Sequence, residues 1–172
     1  MATDPVSLFP DFKEFLKLMN SGEVRYLVVG GYAVNYHGYH RTTGDLDIWI
    51  AVDEENASRV SSVLQRFGFS AGSVPAAAFL ERGKIFRMGV KPVRIEILTQ
   101  PSGVEFDACY GRRVVDTVDG VPMPLIALSD LKVNKRAAGR TKDLADLENL
   151  PPSTARTTKP RPHGKRPKGR GK

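Results

Sequence analysis

The sequence holds a single cysteine, Cys109, among 172 residues. One cysteine excludes an internal disulfide framework and a zinc site built from thiolates, and it leaves packing as the plain role of that residue. No apolar run approaches the roughly 18 residues needed to cross a bilayer. Asp4 and Pro5 come before any apolar stretch, with no basic segment ahead of them, so no secretory signal is read and a cytoplasmic chain is expected. Acidic residues are missing from 151–172, which carry eight basic side chains and no apolar residue larger than alanine. Such a segment cannot bury enough surface to offset its ordering entropy, and it reads as a disordered basic tail. Tails of this kind bind RNA or DNA through counterion release. Residues 1–150 then hold 18 basic against 19 acidic side chains, so the net charge of +7 belongs to the tail.

What remains is a chain of ordinary globular texture, 41% hydrophobic and 26% charged, long enough for one domain over 1–150. Phe12, Phe15, Leu16 and Met19 recur at helical spacing over 10–20. A strand is expected over 25–29, a short helix over 30–38, and a second strand over 45–52. An amphipathic helix spans 53–68, with Val60, Val63, Leu64 and Phe67 inward, and 76–80 is ambiguous. Two strands follow, over 84–90 and 93–99. A short helix and a hairpin occupy 103–127, with Asp119-Gly120 as the turn. Ser129 is expected to cap a helix that Gly139 closes, and Thr141 to cap a final helix with Leu144, Leu147 and Leu150 as its apolar stripe. The fold class is α/β of the α+β type: a mixed sheet flanked by helices.

The informative stretch is 26–50. An apolar strand meets Gly30-Gly31, and a short helix and a turn at Thr43-Gly44 lead into Asp45-Leu46-Asp47 on the next strand. Glycines after a strand let backbone N–H groups approach phosphate oxygens. Aspartates at i and i+2 share a face and repel unless a cation or a proton lies between them. Magnesium bridging to substrate phosphates resolves that repulsion, because it takes oxygen ligands. Trp49 shares their face and is read as packing. His37 and His40 are read as structural, and Arg41 can pair with an aspartate or with a phosphate.

The pieces VVGGYAVNYHGYHRTTGDLDIWI, VRIEILT and KRAAGRTKDLADLENL, in that order, resemble the polymerase-beta-like nucleotidyltransferase superfamily. The nearer likeness is to the small bacterial AbiEii-like or minimal nucleotidyltransferases, some of them members of toxin–antitoxin pairs. The resemblance spans about 24–150. It implies an enzyme moving a nucleoside monophosphate from an NTP to an acceptor, with Asp45, Asp47 and Glu96 as catalytic residues holding one or two Mg2+ ions. Glu96 departs from the aspartate commoner at its position, and the plain alternative for it is a surface pair with Arg94. The resemblance also implies a nucleotide site formed by Gly30, Gly31, Arg41, Thr43, Lys135, Lys142, Asp143 and Asp146. For Asp143 the bland account is a carboxylate in the first turn of a helix. The acceptors it leaves open are an RNA such as tRNA, a partner toxin or antitoxin protein, and a small molecule. A non-catalytic nucleic-acid- or partner-binding module that keeps the fold is the alternative.

Overall fold

The computed structural model of the protein describes residues 7–153. The basic tail expected from 151 lies, from 154 onward, outside the described residues. Helix α1 (Pro10–Ser21) opens on a proline, where a missing N–H costs nothing, and buries the Phe12, Phe15, Leu16 and Met19 stripe. Strand β1 (Tyr26–Val29) is buried at all four positions and passes directly into α2 (Gly30–Tyr36). Strand β2 (Asp45–Ile50) returns antiparallel to β1. Helix α3 (Glu54–Phe67) is N-capped by Asp53, whose carboxylate accepts the Asn56 N–H at 2.8 Å. The ambiguous stretch forms one 3-10 turn, Ala76–Phe79, that buries Phe79. Strands β3 (Ile85–Val90) and β4 (Val93–Leu98) pair antiparallel. After α4 (Phe106–Gly111), β5 (Val114–Val118) and β6 (Val121–Leu125) form the expected hairpin. Its turn puts Asp119 at φ 50° and Gly120 at φ 80°, which is why an Asp-Gly pair serves there.

The six strands make one mixed sheet in the order β3-β4-β2-β1-β6-β5. The β2–β4 and β1–β6 pairs are parallel and the other three antiparallel. Alternation sends Tyr26, Val28, Leu46, Ile48, Ile50, Ile95 and Ile97 to one face, where they pack with α1 and α3. Leu27, Val29 and Trp49 take the opposite face with Cys109, Ile126 and Leu131. Asn56, 1% exposed, stitches the first layer to the sheet. It accepts from the Arg25 N–H and donates to the carbonyls of Arg25 and Ala51. Among the described residues no helix is long and apolar enough to cross a membrane.

The last two helices correct three expectations. Helix α5 (Leu128–Ala138) begins one residue before Ser129, and Ala127 occupies the cap position without a side-chain bond, so Ser129 lies within the first turn. Gly139 closes α5 at φ 64°, as expected. Helix α6 (Thr141–Asn149) is capped by Arg140 rather than Thr141, with the Asp143 carboxylate accepting the Arg140 backbone N–H at 3.2 Å. Its inward face is only partly the leucine stripe: Leu150 is buried and Leu147 half-buried, but Leu144 turns outward. Leu144 is 49% exposed, whereas Asp143 and Asp146 are 0% and 1% exposed. Hydropathy assigns the leucines inward because it scores residues singly, and buried cations from other elements reverse that choice at Leu144.

Candidate active site

Asp45, Asp47 and Trp49 follow the alternation of β2 and share one face, with Leu27 opposite Trp49 and Val29 opposite Asp47 on β1. On the other side, the β2–β4 register sets Asp45 opposite Arg94 and Asp47 opposite Glu96. The β3–β4 register sets Arg87 opposite Glu96. Arg87, Glu96 and Asp47 thus form one row across three strands. The sheet brings all three expected carboxylates together on one face.

Their partners are arginines and each other. Arg94 donates to both oxygens of Asp45, from Nε at 2.8 Å and from Nη2 at 3.1 Å. The same Nη2 lies 3.1 Å from Glu96 Oε1, and Arg87 Nε reaches that oxygen at 2.9 Å. The surface pair weighed for Glu96 therefore exists alongside the carboxylate cluster. Asp47 hydrogen-bonds Glu96, and its pKa is pushed up from 3.8 to about 7. Burial is the main cause, followed by the charge of Glu96, the shared hydrogen bond and the charge of Asp45, with Lys142 pulling the other way.

Gly30 sits against this cluster at φ 64°, and a Cβ there would come within 1.9 Å of Asp47 Oδ2. Only glycine satisfies both the backbone conformation and the contact. Gly31 is pressed against Thr43 in the same way, its Cβ position 2.3 Å from Thr43 Oγ1, and that hydroxyl donates to the Asp45 carbonyl at 3.2 Å. Thr43 thus props the turn rather than facing the cavity.

The cavity above the carboxylates has a volume of about 540 Å³, within the range of small-molecule sites. Gly30, Gly31, Asp45, Asp47, Glu96, Lys135 and Lys142 line it, joined by Lys84, Arg87, Lys91, Arg94 and Arg140. Arg140 is held above its ordinary pKa first by its hydrogen bond to Asp143 and further by the charges of Asp47 and Glu96. The remaining expected residues lie behind the wall. Arg41 grips Asp146 with two bonds of 2.7 and 2.9 Å rather than either aspartate of β2. Lys135 Nζ sits 2.9 Å from Asp146 and 3.1 Å from Asp143, and Arg140 Nε donates to Asp143 at 2.8 Å. Burial works to raise both aspartates, yet these cations hold them below the ordinary carboxylate range. Asp143 and Asp146 are scaffold here: they position Lys135, Arg140 and the Arg41 loop.

Arg87 and Arg140 are site residues not expected from the sequence, where Arg94 reads only as a surface partner of Glu96. The i, i+2 spacing already put Arg94 on the Glu96 face. Arg87 could be found by folding the two strands about Lys91-Pro92, and Arg140 lies within the KRAAGRTKDLADLENL piece that carries the resemblance.

Magnesium fits this donor set by chemistry. All three candidates offer carboxylate oxygens, and the crowding that raises Asp47 is what a cation would relieve. As the side chains stand, no three acidic, histidine or cysteine residues among the described residues are grouped closely enough to hold an ion.

No protein-family model matches the sequence, and no curated protein does. Solved structures do. A Thermotoga maritima protein with a provisional nucleotidyltransferase assignment superposes with a TM-score of 0.55, over 80% of this chain and 88% of that one, at 14% identity. The fold is nucleotidyltransferase-like. An antigenic nucleotidyltransferase-like protein from Paracoccidioides brasiliensis matches at 16% identity and a TM-score of 0.49, over 80% of this chain and 72% of that one. Within the nucleotidyltransferase-like fold, the carboxylates lie on the adjacent parallel strands β2 and β4, beside the β1–α2 glycine corner.

Proposed function

We propose that the protein is a metal-dependent nucleotidyltransferase that moves a nucleoside monophosphate from an NTP to an RNA or protein acceptor, releasing pyrophosphate. The observation that carries this reading is the Asp47–Glu96 pair, with Asp45 beside it, on the floor of a cavity walled by cations. Asp45, Asp47 and Glu96 would hold Mg2+, which when bound would stabilise charge on the transferred phosphoryl group. Glu96, beside Asp47, would help to deprotonate the acceptor hydroxyl. Arg140 and Lys142 line the same cavity and supply positive charge for a triphosphate tail, while Lys135, also in the lining, is paired with Asp143 and Asp146. The Gly30-Gly31 corner brings the backbone up against the Asp47 carboxylate and lines the same cavity, where its N–H groups are candidates to meet phosphate oxygens. Little covalent work falls to the protein in such a transfer, and positioning with charge stabilisation carries the rate.

The resemblance of 24–150 to AbiEii-like nucleotidyltransferases supports an acceptor in a toxin–antitoxin or phage-defence setting: a tRNA, or a partner protein. The decisive experiment incubates the protein with each labelled NTP, Mg2+, total tRNA and cell lysate. Label entering RNA or protein with the wild type, and not with Asp47→Asn, is the expected result. No label with any nucleotide, together with no Mg2+-dependent NTP binding by calorimetry, overturns the reading. The arginine bonds on Asp45 and Glu96 favour one second reading, a partner- or nucleic-acid-binding module whose carboxylates are occupied for good. Such a module binds no Mg–NTP.

A further inference from the structure

Arg94 does something the transfer reaction itself does not require. It lies opposite Asp45 in the strand register and gives that residue two hydrogen bonds, while the same Nη2 reaches Glu96 at 3.1 Å. One guanidinium therefore spans two of the three carboxylates expected to take metal. The fork geometry of arginine matches a carboxylate, and charge-assisted bonds of this kind are about twice as strong as neutral ones. Arg94 is nevertheless not locked in. Its side chain is 25% exposed and lines the cavity. The residue opposite it on β3 is Gly89, which has no side chain, so the guanidinium has room to leave.

We propose that Arg94 is a transferable counter-ion: it holds Asp45 and Glu96 against divalent cations until a nucleoside triphosphate takes over the guanidinium, so that metal and nucleotide bind as a unit. This rests on the nucleotidyltransferase reading above. A cation and a guanidinium compete for the same oxygens of Asp45, and a bare hydrated ion, which dehydrates reluctantly, gives Arg94 nothing in exchange. A triphosphate gives it a second oxygen fork and gives the ion bridging oxygens at the same moment. The coupling is reciprocal: whatever factor nucleotide contributes to metal affinity, metal contributes to nucleotide affinity. Arg87, which touches Glu96 and not Asp45, holds one oxygen of the cluster and leaves Asp45 under Arg94 alone.

The test is a calorimetric titration of the whole chain with Mn2+, alone and in the presence of α,β-methylene-ATP, in wild type, R94Q and R87Q. The expected result is weak Mn2+ binding to the wild type alone and strong binding with the analogue. R94Q should take Mn2+ alone roughly tenfold or more tighter than the wild type, while R87Q changes that affinity far less. The gap between binding with and without the analogue should narrow in R94Q. Circular dichroism checks that each variant is folded. If R94Q is not, R94K serves in its place, because an ammonium keeps the charge but cannot fork onto both oxygens, and Mn2+ affinity should still rise. Wild type that binds Mn2+ alone as tightly as R94Q overturns the proposal and leaves the enzyme reading standing. Wild type that binds neither the analogue nor Mn2+ under any condition overturns both.

Discussion

Asp47 and Glu96 face each other across two parallel strands and share a hydrogen bond, carboxyl to carboxyl. A pair in that arrangement must hold a proton or a cation, since two carboxylate anions at such range repel. The site therefore changes state near neutral pH, and the remaining cavity-lining charges act on it.

Asp47→Asn should abolish nucleotidyl transfer and leave the fold intact. The sign of its effect on stability follows from the raised pKa. An acid whose folded value of about 7 exceeds its unfolded 3.8 holds its proton better when folded. Its contribution is fully present below 3.8 and is lost as pH rises through about 7. At pH 8 the asparagine variant should be more stable than wild type by up to a few kcal/mol, at about 1.4 kcal/mol per pKa unit. The difference should shrink steadily toward pH 4. Urea unfolding at several pH values checks it, and a variant less stable at pH 8 would contradict the placement of Asp47.

Gly30→Ala should cost more than about 1 kcal/mol, because φ 64° strains any L side chain. The new methyl would also meet the Asp47 carboxylate, so transfer should fall even at temperatures where the variant stays folded. Thermal melts paired with turnover below the melting temperature separate the two effects.

Removing Asp146 leaves Arg41 and Lys135 without a shared buried partner. Asp146→Ala should destabilise by about 3–5 kcal/mol, the range for breaking a buried pair from one side. Acid should act in the same direction. Asp143 and Asp146 are held below 3.8, so their contribution is present above that pH and is lost as pH falls through their folded values. The wild type should therefore lose stability steeply below about pH 4, measurable as a falling midpoint in a melt series.

Asn56→Leu should cost about 1–3 kcal/mol, the penalty for leaving buried partners unmade. The Arg25 N–H and the carbonyls of Arg25 and Ala51 would lose the group that satisfies them. Chemical denaturation measures this, and the effect should not depend on nucleotide.

The central fold was legible because its signals are local. Alternation at Leu46, Ile48 and Ile50 assigned the acidic residues to the opposite face before any neighbour was known, and the Asp119-Gly120 turn placed the last hairpin. Bringing Glu96 beside Asp47 needed the parallel β2–β4 register, which no local pattern in the chain encodes. The family likeness supplied that step. Arg41 and Asp146 stand 105 residues apart in sequence, and their pairing was invisible for the same reason. Lys135 looked like a phosphate ligand on a helix surface, and its burial against two aspartates emerges only once α6 is packed.

Helix α6 inverts the usual relation between appearance and tolerance. Under random substitution, the position that looks like core, Leu144, is free to drift to polar residues, while Asp143 and Asp146, which look like surface, are fixed by the cations they anchor. A designer who redrew this helix from hydropathy would preserve the wrong side of it and detach the wall of the cavity.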